Sequence, residues 1–225
     1  MLMAEGIRVL ILDFDGVIAD SKKAIYKTYR EVCREMGIKF YSSSSEFANN
    51  IDGNYKHFFL KLGIKRSDFA KANLIYKKHY SRLEREIKPF PGIKETLAAI
   101  RSRGIKIGIS SNSFESAIRR ILKRHRLEKY IDTVVGGKDI DKLKPSPAQI
   151  LIAAKRLGAK KSEVAFAGDM EVDMIAGRRA KIAKIIAVTY GYHPKERLKK
   201  FGPDDFASRP KDILDIVLAQ KSEKS

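Results

Sequence analysis

The chain has 225 residues, 44% of them hydrophobic and 32% charged, with 15 glycines and 7 prolines, which excludes collagen-like, low-complexity and wholly disordered chains. Its 46 Lys and Arg against 27 Asp and Glu leave a net charge of +19, open to a nucleic-acid partner, an anionic substrate or a charged surface alone. No apolar run approaches the roughly 18–20 residues that cross a bilayer, and the one cysteine, Cys33, forbids an intrachain disulfide and reads as a buried small hydrophobe, so the expectation is a soluble, cytoplasmic protein without a membrane partner.

Residues 7–12 form a short β-branched apolar run without polar alternation, the pattern of a strand buried on both faces. Residues 21–36 read as a helix capped by Asp20 or Ser21 and closed by Gly37, 55–62 as a short helix ending at Gly63, and 67–87 as a long one. Pro89 and Pro91 stiffen the return of the chain and, with 16–20, predict a two-stranded hinge. Strands at 106–109, 131–135, 164–167 and 185–188 then alternate with helices at 93–103, 114–125 and 147–157, and a last helix lies near 212–218. This order predicts a doubly wound α/β core with a parallel sheet, built from residues 1–15 and 90–225, and an all-α insert at 16–89.

Ligands of such sheets gather at the carboxyl ends of the strands, so the residues after each apolar run carry the information. Asp13-Phe14-Asp15-Gly16 follows the first and places two carboxylates on one side of an extended segment. Like charges so close need a positive partner, and a hard cation such as Mg²⁺ with oxygen ligands supplies one. Ser110-Ser111-Asn112 follows the second strand at a helix start suited to an anion. Lys142 and Lys144 follow the third, with Lys144 opening a rigid Lys-Pro-Ser-Pro turn, and Gly168-Asp169 follows the fourth, four residues ahead of Asp173. Singly each has a plainer explanation as a turn, a cap or a surface lysine, but their order, each at a strand end, argues against accident.

Asp13-Phe14-Asp15-Gly16-Val17, Ser111-Asn112, Lys144-Pro145 and Gly168-Asp169 with Asp173 resemble the four motifs of the haloacid dehalogenase superfamily. The 98 residues from Asp13 to Ser111, against 33 from Ser111 to Lys144, are similar to the phosphoglycolate phosphatase-like group, with a helical cap inserted after the first motif. The resemblance implies a phosphatase in which Asp13 is the nucleophile, forming an aspartyl phosphate, and Asp15 the acid/base. It implies Mg²⁺ held by Asp13, the main-chain carbonyl of Asp15 and Asp169, with Asp173 ordering a water or Lys144. Gly16, Ser111, Lys144 and the backbone near Asn112 then surround the phosphoryl group. Asp52-Gly53-Asn54-Tyr55-Lys56 resembles the specificity loop of the cap, with Lys56 on a second anionic group or simply exposed.

Asp15 weighs against the dehalogenases, which lack it, while His57 keeps a sugar phosphomutase in view. Phosphoglycolate, sugar phosphates, pyrophosphate and nucleotide monophosphates stay open as substrates, as do monomer and homodimer, since the apolar positions of 21–36 and 67–87 suit either an internal core or a dimer contact. The excess charge divides nearly in proportion to length, +8 over 16–90 and +11 elsewhere, and the basic runs 119–126 and 178–184 lack interleaved aromatics. A specific nucleic-acid partner is therefore not expected, and the charge acts as a steering field for anions.

Overall fold

The computed structural model describes residues 6–51, 53–137 and 142–219. In chain order the elements are β1 (Val9–Leu12), β2 (Ala19–Asp20), α1 (Lys22–Glu35), α2 (Ser44–Asn50), α3 (Tyr55–Lys61), α4 (Phe69–Leu83), β3 (Lys88–Pro89), α5 (Ile93–Ser102), β4 (Lys106–Ser110) and α6 (Glu115–Arg124). They continue with β5 (Thr133–Val135), α7 (Ala148–Arg156), β6 (Val164–Gly168), α8 (Glu171–Ala180), β7 (Lys184–Val188), α9 (Lys195–Lys199), β8 (Asp205–Ala207) and α10 (Pro210–Leu218).

Six parallel strands run in the order β5-β4-β1-β6-β7-β8. The apolar run of β1 explains its central place. Leu10 and Leu12 pack on one face with Leu97, Ile107 and Ile213, while Val9 and Ile11 pack on the other with Ile150, Phe166 and Ala176, so no position of the strand meets water. The strand order reverses across β1 and β6, which opens a crevice at their carboxyl ends. Leu12 is in register with Ile109 of β4 and Ala167 of β6, which brings the residues just beyond these three strands to one level.

Helices α1 to α4 pack on one another through the apolar positions of α1 and α4. The Tyr29 ring meets Phe58 edge-on at 4.9 Å and Tyr76 at 5.2 Å, and Val32 and Cys33 are fully buried beside them. Those positions therefore fill an internal core. Burial pushes the Cys33 thiol up to about 11, which leaves it protonated and unreactive.

The insert joins the sheet through β2 and β3, which pair antiparallel with Ala19 opposite Pro89 and Asp20 opposite Lys88, so the two connections read as a hinge form a short ribbon. Beside it the buried Glu84 carboxylate accepts two bonds from the Arg120 guanidinium, both 2.8 Å, and Arg124 donates to the Glu84 carbonyl. His125, read as part of a solvated helix end, is half-buried, with its ring nitrogen 2.9 Å from the Ile87 carbonyl oxygen. The basic runs are likewise engaged: Arg119 pairs with Glu115, Arg178 with Asp204 and Lys184 with Asp205.

Other local expectations change. The long third helix is an α-helix flanked by two 3-10 turns, Arg66–Asp68 and Glu84–Glu86. Ser21 occupies the start of α1 without capping it, its hydroxyl lying 3.3 Å from the Tyr192 hydroxyl instead. Helices α2 and α9 and strand β8 have no counterpart among the predicted elements. Strand β8 pairs with β7 at the sheet edge and carries Phe206. No described helix is long and apolar enough to cross a membrane.

Candidate active site

The shared level of β1, β4 and β6 determines the site. Asp13 leaves β1 with its N–H bonded to Ala167 of β6, Ser111 leaves β4 bonded to Val135 of β5, and Asp169 follows β6. Between these strand ends and the helical insert lies a cavity of about 280 Å³, lined on the sheet side by Asp13, Asp15, Ser111 and Lys144 and on the insert side by Lys56 and the phenols Tyr76 and Tyr80.

Lys144 is 1% exposed, and its ammonium lies 2.9 Å from Asp13 Oδ1 and 2.6 Å from Asp173 Oδ1, donating also to the Ser110 carbonyl at 3.0 Å. Burial alone would lower this ammonium, but the two carboxylates facing it outweigh burial and hold it above its usual range. Asp13, Asp169 and Asp173 each offer a carboxylate oxygen within 4.8 Å of the others. Three carboxylates around one lysine leave excess negative charge in a buried place. Burial is accordingly the main force raising Asp13, to about 7, with Lys144 opposing it. Asp169 is raised well above the usual carboxylate range by burial and then by Asp173 and Asp13.

The individual oxygens are distinguishable. Asp169 Oδ2 accepts the Tyr192 N–H at 2.6 Å, and its Oδ1 is buried without a hydrogen-bond partner among the described residues. Asp173, at the first turn of α8, accepts the N–H groups of Asp169 and Met170 on Oδ2 and faces Lys144 with Oδ1, so both of its oxygens are engaged. Of the two roles open to it in the sequence, the ordering of Lys144 is the one this contact matches. The Asp15 carboxylate stands apart from the three-carboxylate group: Ser113 Oγ donates to its Oδ2 at 2.5 Å. Burial raises its carboxyl, with the Ser113 and Ser21 hydroxyls opposing.

The other sequence-predicted residues lie around this group. Gly16 is absent from the cavity lining; with φ of +84° it lies where a Cβ would fall 2.0 Å from Asp169 Oδ2, so its place is a close-packed turn against that carboxylate. Gly191 presses on the same oxygen from the other side, with a Cβ distance of 2.2 Å. Asn112 lines the cavity, and its side chain accepts the Lys144 N–H and donates to the Lys144 and Gly53 carbonyls. Lys56 lines the cavity from the exposed first turn of α3, whereas His57 beside it is exposed and not part of the lining. Asp52 lies outside the described residues. Ser113, Gly136 and Gly137 lie at or beside the site and were not singled out by sequence reasoning. The Gly-Gly pair directly after an apolar run was the available signal for two of them.

The sequence matches the haloacid dehalogenase-like hydrolase family over residues 10–188. The chain belongs to that family. It is similar to the phosphoglycolate phosphatase of Aquifex aeolicus, 31% identical over 214 residues that span 93% of this chain and 96% of that protein. It is also similar to the pyrophosphatase PpaX of Oceanobacillus iheyensis, 26% identical over 94% of this chain and 97% of that one. A haloacid dehalogenase-like hydrolase of Streptococcus pneumoniae, 20% identical, shares the fold with a TM-score of 0.83 over 93% of this chain and 98% of that chain. The doubly wound sheet with helices on its faces is thus the family fold.

Proposed function

We propose that the protein hydrolyses the phosphate monoester of a small metabolite by way of an aspartyl phosphate on Asp13, with Mg²⁺ as its metal. The observation that carries this reading is the placement of the Asp13 carboxylate on the cavity floor, 2.9 Å from the buried Lys144 ammonium and within reach of two further carboxylates. The relatives named above support it, since a phosphoglycolate phosphatase and a pyrophosphatase both break a phosphorus–oxygen bond. Residues 1–15 and 90–225 form the catalytic core in this reading, and 16–89 a cap that closes the cavity from water.

An all-oxygen donor set with an unpaired buried Asp169 Oδ1 fits a hard cation. Asp13, Asp169 and the main-chain carbonyl of Asp15 would hold it, with Asp173 orienting Lys144. When bound, the cation offsets the negative charge of carboxylates and phosphate. Asp13 attacks phosphorus in line with the departing oxygen, Asp15 gives that oxygen its proton, and Lys144 and Ser111 hold the transferring phosphoryl oxygens. Asp15 then takes a proton from the water that releases phosphate. Hydrolysis of p-nitrophenyl phosphate with Mg²⁺ and with EDTA tests the reading, and equal rates would end it. The mutase alternative needs His57 as its acid/base, and His57 is exposed and not part of the cavity lining.

The raised carboxylates give a second measurement. Between the ordinary carboxylate value of about 4 and the value of about 7 for Asp13, the folded metal-free protein binds more protons than the unfolded chain. These groups therefore lower stability as pH rises through that window. A divalent cation competes with those protons, so Mg²⁺ is expected to raise the melting temperature more at pH 7.5 than at pH 5, read by thermal melting against EDTA. A Mg²⁺ shift independent of pH would contradict the charge balance.

The insert side of the cavity combines one cation, Lys56, with phenols and the Asn73 amide. This suits either a second anion on Lys56 or hydroxyl groups on the phenols, the phosphoglycolate and sugar-phosphate classes respectively. Lys56→Ala is expected to reduce kcat/KM for 2-phosphoglycolate by roughly 10-fold to 100-fold, the worth of one charge-assisted hydrogen bond. Sugar phosphates should change little. A uniform loss across a substrate panel would remove Lys56 from substrate recognition.

A further inference from the structure

An acid that must give a proton to one oxygen and reclaim it from a water works best when only one of its own oxygens faces the reaction. Asp15 is arranged in that way. Ser113 Oγ holds Oδ2 at 2.5 Å, while Oδ1 is buried, has no hydrogen-bond partner among the described residues, and belongs to a cavity-lining residue. The second nearby hydroxyl, that of Ser21, lies 3.3 Å from the Tyr192 hydroxyl, and its hold on the Asp15 carboxyl is weaker than that of Ser113.

Ser113 is itself held on both sides of its peptide. Its N–H donates to Ser111 Oγ at 3.1 Å, and its carbonyl accepts the Gly137 N–H at 2.8 Å. The 112–115 segment presses so closely on the end of β5 that a Cβ on Gly137 would lie 2.2 Å from the Asn112 carbonyl oxygen, and one on Gly136 2.5 Å from the Glu115 nitrogen. The hydroxyl is therefore anchored to the sheet rather than to the helical insert, and stays in register with Ser111.

We infer that Ser113 is a positioning residue for proton delivery: by donating to Asp15 Oδ2 it leaves Oδ1 as the oxygen that carries the transferable proton to the leaving group. This rests on the acid/base reading of Asp15. As the bond from phosphorus to the ester oxygen breaks, its electron pair stays with that oxygen, which takes the Oδ1 proton and departs as the alcohol. In the second half the ionised Oδ1 takes a proton from the water whose oxygen bonds to phosphorus, releasing phosphate and restoring the Asp13 carboxylate.

The dependence of rate on leaving group reads this directly, with p-nitrophenyl, phenyl and benzyl phosphates as probes of similar shape. A nitrophenolate departs with little help, whereas a benzyl alkoxide needs its proton. Ser113→Ala is expected to lower kcat/KM, which reports the steps up to departure of the alcohol, for benzyl phosphate roughly tenfold more than for p-nitrophenyl phosphate, in the direction of the larger discrimination, about 10²-fold or more, of Asp15→Asn. Ser113→Thr, which keeps the hydroxyl, should restore the wild-type ratio. Equal losses on all three esters in Ser113→Ala, with Asp15→Asn still discriminating, overturn the role of Ser113 alone. If Asp15→Asn fails to discriminate, the proton-donor reading of Asp15 falls and this inference with it. A loss of packing alone would lower the three rates together, so the ratio separates it from proton delivery.

Discussion

Asp13→Asn is expected to abolish phosphate release, by about 10⁴-fold or more in kcat, the scale seen when a covalent nucleophile is removed. The amide has nearly the same shape but no lone pair basic enough to attack phosphorus. The fold should not suffer. Burial already holds Asp13 near 7 against the pull of Lys144, so ionising it in the metal-free protein is unfavourable, and the neutral amide relieves a crowded group of carboxylates. The predicted signature is thus a dead enzyme whose melting temperature in EDTA at pH 7.5 is equal to or above that of the wild type, with a smaller stabilisation by Mg²⁺. Turnover of p-nitrophenyl phosphate and a pair of melting curves measure it. Retained activity would remove Asp13 as nucleophile, whereas a destabilised, inactive variant would make its role structural.

Lys144→Met has the opposite stability signature. Lys144 is buried, faces Asp13 at 2.9 Å and Asp173 at 2.6 Å, and lies over the Phe166 ring at 5.6 Å. Methionine fills most of that space without the charge, which leaves the carboxylates facing one another. Removing one partner of a buried ion pair costs about 3–5 kcal/mol, and for a chain of this length that is a fall of roughly 10 °C in Tm. Mg²⁺ should recover part of it. Activity should fall by about 10²-fold to 10³-fold, the cost of losing a positive group aimed at transition-state charge. Lys144→Arg should not rescue, because a guanidinium is too broad for a slot closed by Phe166 and the Ser110 carbonyl. A variant as stable as the wild type in EDTA would contradict the charge balance described for the cluster.

The strands were legible because burial on both faces writes itself as an unbroken apolar run; Val9–Leu12 and Val164–Gly168 are fully buried. Helix α2 escaped notice in a polar stretch that buries only Phe47 and Ala48. Its one signal was a cap: Ser43 accepts the Glu46 N–H while the Glu46 carboxylate reaches back to Ser42. Strand β8 is three residues at the sheet edge beside β7, and such a segment becomes a strand through its neighbour more than through its own propensity.

Which groups stand at the strand ends, and in what order, is legible along the chain, because a strand end is a local event set by apolar periodicity and its interruption. Asp13, Ser111 and Asp169 were identifiable on that ground, and Lys144, further along the connection after β5, by its Lys-Pro-Ser-Pro turn. Only the tertiary structure decided what each atom of them does: that Asp173 is spent on Lys144 and the start of α8, that Asn112 braces the Lys144 backbone, that Gly16 makes room for Asp169, and that Ser113 takes one oxygen of Asp15 and leaves the other free. Apart from the turn that Asp173 closes at the start of α8, each is a contact between segments far apart in the chain. Spacing along one element carries no information about such pairs until the register of β1 with β4 and β6 brings them to one level.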